Sequence, residues 1–262
     1  MTRVIALAPN AAEIICTLGA AETLVGVSSF CTWPPELAKI PKIGGLRDPD
    51  LEVVMSLKPD LVVLRGKNGP LRGLCRDQHI PIFDDQVETL EDLHATVTEL
   101  GRLLGRRAQA DETNSAIKMA LQRVADRAAG RPKPRVLFVV MRSPGAVADV
   151  MTTGRKTFLH ELIEIAGGVN VVADQDVLYP KVSLEEIVAR RPEVIIETRP
   201  ADTIDDARRG ALLDEWRTLS TLPAVRSGRV HFLTESYITI PSARVTKTAR
   251  TFLSLLHPGL DG

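Results

Sequence analysis

Apolar residues along this chain fall into short continuous runs, separated by segments where they recur at helical spacing. The run RVIALA (residues 3–8) lacks in–out alternation, the pattern of a strand covered on both faces, and LVVL (61–64), RVLFVVM (135–141), VIIE (194–197) and RVHFL (229–233) read as strands too. Residues 24–28 and 80–83 read as further short strands. Helical spacing predicts helices over 11–18, 51–56, 71–78, 90–104, 157–166, 183–189, 212–219 and 242–256. The helix over 90–104 carries its stripe at Leu90, Leu93, Val97, Leu100 and Leu104. Gly19 and Gly167 stand where helices stop, and Asp50 where one starts. Residues 30–50, punctuated by Pro34, Pro35, Pro41, Gly44, Gly45 and Pro49, form a loop.

The stretch DETNSAIKMALQRVADRAAGR (111–131) reads as one long helix at mid-chain. Ile117, Leu121, Val124 and Ala128 line one stripe. Asp111 and Glu112 place carboxylates in its expected first turn, and Arg127 and Arg131 place cations near its far end. Gly130, Pro132 and Pro134 stop it.

A similar order of elements lies on each side. DLEVVMSLKPDLVVL (50–64) and SLEEIVARRPEVIIE (183–197) align without a gap as cap, Leu-Glu, apolar helix, base-Pro-acid turn and apolar strand. EIICTLG (13–19) matches ELIEIAG (161–167) in the same way. Strands alternating with helices imply parallel sheets covered by helices, with ligands beyond the carboxyl ends of the strands. The expected fold is therefore α/β: two α/β lobes with parallel sheets joined by one long connecting helix. The N-terminal lobe is expected over 1–105, the connecting helix over 106–131 and the C-terminal lobe over 132–262, with a cleft between the lobes.

Composition narrows the function. Hydrophobic content of 44% and charged content of 25% are ordinary for a globular chain, and a formal net charge of zero argues against nucleic acid or an anionic membrane as the main partner. Cys16, Cys31 and Cys75 are too few and too scattered for a disulfide scaffold or a zinc knuckle. His79, His94, His160, His231 and His257 show no ligand spacing; His160 reads as a helix-surface residue, and His231 alternates with Val230 and Phe232 along a strand. There is no HExxH, GxSxG, P-loop or GxGxxG after a strand, so neither a catalytic site nor a metal site is expected. No apolar run approaches the ~20 residues needed to span a bilayer. The run over 4–8 is too short for a secretory h-region, so the chain reads as cytosolic or as a mature form whose leader has been removed.

RVIALAPNAAEIICTLGAAETLVGVSSFCTWPPE, the LKPDLVV turn, AGGVNVVAD and VSLEEIVARRPEVII together resemble the solute-binding proteins of ABC importers for cobalamin, ferric siderophores and haem, the cobalamin binders most of all. The resemblance runs from Arg3 to about Leu256. It implies a class III periplasmic binding protein fold, a monomer that holds a cobalamin-like corrinoid and delivers it to an ABC permease, and a periplasmic or cell-envelope location. Haem or a ferric siderophore is the alternative ligand. A third reading is a cytosolic cofactor- or metal-handling protein on the same scaffold.

A corrinoid presents a large flat ring, amide arms and a phosphate, so its site needs apolar or aromatic faces with a few donors. The candidates at predicted strand ends are Pro9 and Asn10, Phe30, and Arg65 with Gly66. Met151 and Arg155 lie in the glycine-containing loop MTTGRK, where backbone N–H groups before a helix suit an amide or phosphate oxygen. By resemblance, Phe30, Tyr179 and Tyr237 match aromatic cleft positions of the cobalamin binders, and Ser242-Ala243-Arg244 matches the family's Ser-Pro-Arg, which makes Arg244 a ligand candidate. Leu46 and Leu64 stand at or near positions where those proteins carry tryptophan. An apolar, aromatic floor favours cobalamin, whereas a basic floor from Arg65, Lys67, Arg155, Lys156 and Arg244 favours an anionic siderophore or haem. The resemblance also implies an acidic permease-docking residue on each lobe. Asp202, Asp205 and Asp206 are candidates on the second lobe, whereas the matching first-lobe position, Gly69-Pro70, has no carboxylate, and Asp77 or another nearby acid is the substitute.

Overall fold

The computed structural model describes residues 1–200 and 202–260. The chain divides into two compact units. The first comprises Met1–Val87, Glu91–Lys118 and Ile240–Ala243; the second comprises Glu88–Leu90, Met119–Thr239 and the chain from Arg244.

The first unit contains β1 (Val4–Ala6), α1 (Pro9–Thr17), β2 (Leu24–Val27), α2 (Leu51–Ser56), β3 (Leu61–Leu64), α3 (Gly69–Asp77), β4 (Ile82–Asp84) and α4 (Leu90–Leu103), the last from its second residue on. The strands form a parallel sheet in the order β2-β1-β3-β4. Ile5, Leu7, Val62 and Leu64 pack with Val54, Leu71 and Cys75 in its core. Of the expected stripe, Leu93, Val97 and Leu100 are fully inside, Leu90 is half-buried, and Leu104 is buried just past the end of α4.

The long helix, α5 (Arg107–Ala128), starts a turn earlier than the sequence pattern indicates. Asp111 and Glu112 therefore lie past its first turn, which holds no acid. Near its start α5 packs closely against α4: a Cβ on Gly101 would approach that of Ala110 to 2.5 Å. Residues up to Lys118 belong to the first unit and those from Met119 to the second. Ile117, Leu121, Val124 and Ala128 are all buried, as their spacing requires. Gly130 follows at φ 73°, a conformation that suits glycine after a helix.

The second unit adds β5 (Arg135–Met141), β6 (Val150–Thr152), α6 (Phe158–Ile165), β7 (Val169–Asn170), β8 (Lys181–Val182), α7 (Leu184–Arg190), β9 (Val194–Thr198), α8 (Asp206–Arg217), α9 (Pro223–Arg226), β10 (Val230–Leu233) and α10 (Val245–Leu256). Its sheet runs β10-β9-β5-β6-β8, with β7 also on β5. β10, β9, β5 and β7 are parallel, while β6 pairs antiparallel with both β5 and β8. These two short strands, too brief to leave a sequence pattern, extend the parallel sheet with an antiparallel edge. α8 begins at Asp206 rather than at residue 212, because Asp205 caps it by accepting from the Arg208 N–H at 2.7 Å.

The repeat seen in the sequence recurs atom by atom. Asp50 and Ser183 both cap their helices, α2 and α7. Lys58 and Arg191, aligned in the base-Pro-acid turns, both take a left-handed backbone, at φ 46° and 47°. Asp60 accepts from the Arg3 N–H at 3.1 Å, and its counterpart Glu193 accepts from the Arg135 N–H at 2.8 Å. Arg3 and Arg135 each donate from Nε to carbonyls where the helix before that turn ends: Arg3 to those of Leu57 and Lys58 after α2, Arg135 to that of Arg190 at the end of α7.

Candidate functional site

In the first unit the candidates lie beyond three adjacent strands. Pro9 opens α1 directly after β1, and Asn10 beside it is buried, its Nδ2 meeting no acceptor among the described residues. Phe30 follows β2 and is 58% exposed; Trp33 and Leu46, on the same loop, are exposed too. Leu64, fully buried as the last residue of β3, offers no ligand face. Arg65 and Gly66 follow it. Arg65 donates from Nη1 to the Val87 carbonyl at 3.0 Å, and Gly66 sits at φ 80° with its carbonyl accepting from Arg72.

In the second unit Met151 is half-buried on β6 and opposite Met141, the exposed last residue of β5. Arg155 is ion-paired with Asp176, and Lys156 lies 3.6 Å from the same carboxylate. The helix start after MTTGRK is already occupied: the Phe158 N–H donates to the Glu88 carbonyl at 2.5 Å, and the His160 N–H to Thr157 Oγ1. Tyr179 is half-buried and donates its hydroxyl to Glu88 Oε2 at 3.3 Å. Tyr237 is only 6% exposed; Arg244 lies 5.7 Å and Lys247 4.3 Å from its ring centroid. Arg244 occupies the cap position of α10.

Sequence reasoning missed a buried charge network at the carboxyl ends of β5 and β9. Glu197, fully buried, accepts from Arg142 Nε at 3.0 Å, Arg199 Nε at 2.6 Å and Trp216 Nε1 at 2.8 Å. Arg142 also donates from Nη1 to the Ala146 carbonyl at 2.7 Å and to Glu215. Arg142, Arg199, Met141, Pro200 and Asp202 line a cavity of about 250 Å³. The available signal was Glu197 itself, a carboxylate inside an otherwise apolar strand, which requires a buried cation.

The thiols are held protonated. Burial, with Glu36 and Glu13 nearby, pushes Cys16 up to about 11; burial also raises Cys31 and Cys75. Burial, then Arg229 and Arg209, holds His231 below its usual range, favouring the neutral ring. Among the described residues no three His, Cys, Asp or Glu side chains are placed to hold a metal ion, and no helix is long and apolar enough to cross a membrane.

The cobalamin-binding protein of Halobacterium salinarum is 29% identical over 265 residues, spanning 97% of this chain and 69% of that one. The crystal structure of the periplasmic vitamin B12 binding protein of Vibrio cholerae matches with a TM-score of 0.78 at 25% identity, over 97% of this chain and 96% of that one. The apo periplasmic haem-binding protein of Roseiflexus sp. RS-1 also matches with a TM-score of 0.78 at 25% identity, over 97% and 99% of the two chains. The periplasmic binding protein family profile matches residues 4–237. The chain belongs to the periplasmic binding protein family.

Proposed function

We propose that this protein is a solute-binding protein that carries a cobalamin-like corrinoid in the cell envelope, as a monomer, to an ABC importer. The ligand rests on the loops beyond the strand ends of each unit, and the protein acts as a carrier rather than a catalyst. One observation carries this reading: large apolar side chains stand in water on those loops. They are Phe30, Trp33 and Leu46 in the first unit and Met141 in the second. Apolar and aromatic faces of this kind suit the flat ring of a corrinoid.

The charge of the candidate site favours a corrinoid over haem or a ferric siderophore. Arg155 and Lys156 share Asp176, Arg142 and Arg199 are held by Glu197 and Glu215, Arg65 serves a backbone carbonyl, and Arg244 lies against the Tyr237 ring. Most of these cations already have a partner, whereas amide arms need only single donors. Haem remains the second reading because the Roseiflexus relative binds it. For the permease, Asp205 and Asp206 at the start of α8 supply the acidic contact of the second unit. The first turn of α3 holds no acid, which makes Asp77 at its far end the substitute.

Calorimetric titration with cyanocobalamin, haem and a ferric siderophore tests the reading. It expects cyanocobalamin to bind with Kd below about 10 μM, roughly 7 kcal/mol or more, and ahead of the other two. No binding of cyanocobalamin at that concentration rejects it.

A further inference from the structure

Each unit incorporates a short segment whose chain neighbours belong to the other unit. Ile240–Ala243 lies in the first, Glu88–Leu90 in the second. In both cases a glutamate on a helix holds the segment. Glu13 Oε2 accepts from Ser242 Oγ at 2.5 Å, with both residues buried. Glu161 Oε2 accepts from the Leu90 N–H at 2.7 Å. Glu13 and Glu161 are the matching first residues of EIICTLG and ELIEIAG, and both motifs end on a glycine at positive φ, Gly19 and Gly167. The same carboxylate thus does the same job in each half of the repeat.

The chemistry suits the task. Leu90 opens α4, where the first N–H groups have no partner within the helix; a carboxylate there both accepts the bond and complements the helix dipole. The segment is pinned again where the Phe158 N–H donates to the Glu88 carbonyl. Its Glu88 side chain in turn accepts from the Tyr179 hydroxyl. Ser242 stands two positions before Arg244.

We propose that Glu13 and Glu161 are paired positioning residues that fix the two lent segments. Glu161 thereby sets the acceptor for Tyr179, and Glu13 sets the start of the segment that leads into Arg244. The fixing itself requires no ligand; its effect on affinity rests on the corrinoid reading above.

Hydrogen–deuterium exchange on the full chain without ligand tests it. E161M removes the acceptor and should speed exchange across residues 88–91 by about tenfold or more, the scale of a lost charge-assisted bond. E161Q, whose side-chain carbonyl still accepts, should stay within about threefold of the parent. S242A should speed residues 240–243 in the same way. Should E161M fold poorly, L90P removes the donor instead, because proline is tolerated at the first position of a helix. E161M combined with L90P should then be no worse than either alone. Unchanged exchange in these segments, or a rise spread evenly over the whole unit, overturns the proposal. With cyanocobalamin bound, E161M should release it faster than E161Q, and equal release would overturn the positioning of Tyr179. If the parent protein fails to bind cyanocobalamin, the corrinoid reading falls while the ligand-free exchange result stands on its own.

Discussion

Removing the Glu197 carboxylate is the sharpest test of how the second unit is held together. The side chain is fully buried and accepts four hydrogen bonds from three donors: two from Arg142 Nε at 3.0 and 3.1 Å, one from Arg199 at 2.6 Å and one from Trp216 at 2.8 Å. In E197A the Arg142 guanidinium, itself without exposure, keeps Glu215, backbone carbonyls and the Trp216 ring as partners but loses its buried counter-charge. Stranding a buried charge costs about 3–5 kcal/mol. For a chain of this size that lowers the melting temperature by roughly 6–20 °C, at 2–4 °C per kcal/mol. E197Q keeps the shape and one acceptor, so about half that loss is expected. The double variant R142L/E197L removes cation and anion together and should be more stable than E197L alone. Thermal melts followed by circular dichroism, with urea unfolding in parallel, measure all four variants. An E197A protein that melts within about 2 °C of the parent, less than the cost of one stranded charge, would refute the reasoning. So would a double variant less stable than E197L alone.

Gly154→Ala should destabilise the protein by about 2 kcal/mol or more and weaken ligand binding, because the new Cβ would collide with the Val177 carbonyl oxygen on the loop that leads to Tyr179; melting and titration together check it. Phe30→Ala, at a residue 58% exposed, should leave the melting temperature within about 2 °C yet weaken cyanocobalamin by about 5- to 50-fold, an aromatic contact's share of affinity. Stability should decline as pH falls below 6.5. Burial together with the nearby arginines keeps His231 and His257 neutral in the folded state to lower pH than in the unfolded chain, which takes up protons first. H231Q should flatten that slope in urea titrations between pH 7 and 5, and an unaltered slope would count against it.

Much of the fold was legible because burial imposes periodicity. The α5 stripe from Ile117 to Ala128, the Asp50 cap and the turns at Lys58 and Arg191 each follow from one local rule that packing then reinforces. β6 and β8 were invisible because two or three residues carry no period, and the start of α8 was misjudged because Asp205 outweighs its weakly patterned first turns. Within the site, residues past strand ends were found by topology, which says nothing of their neighbours. Tyr237, matched by resemblance to an aromatic cleft position, has Arg244 and Lys247 against its ring, neighbours that no local pattern announces. Arg142 and Glu197 pair across 55 residues, a separation that no local pattern spans.

The proposed reading has a corrinoid contact the strand-end loops of the first unit and those of the second. Hydrogen exchange with and without saturating cyanocobalamin tests it most directly. The account predicts slowed exchange across residues 28–33 and 64–68 in the first unit and 141–143 in the second. Protection confined to one unit, or falling instead on the helix ends at residues 17–20 and 165–168, would contradict it.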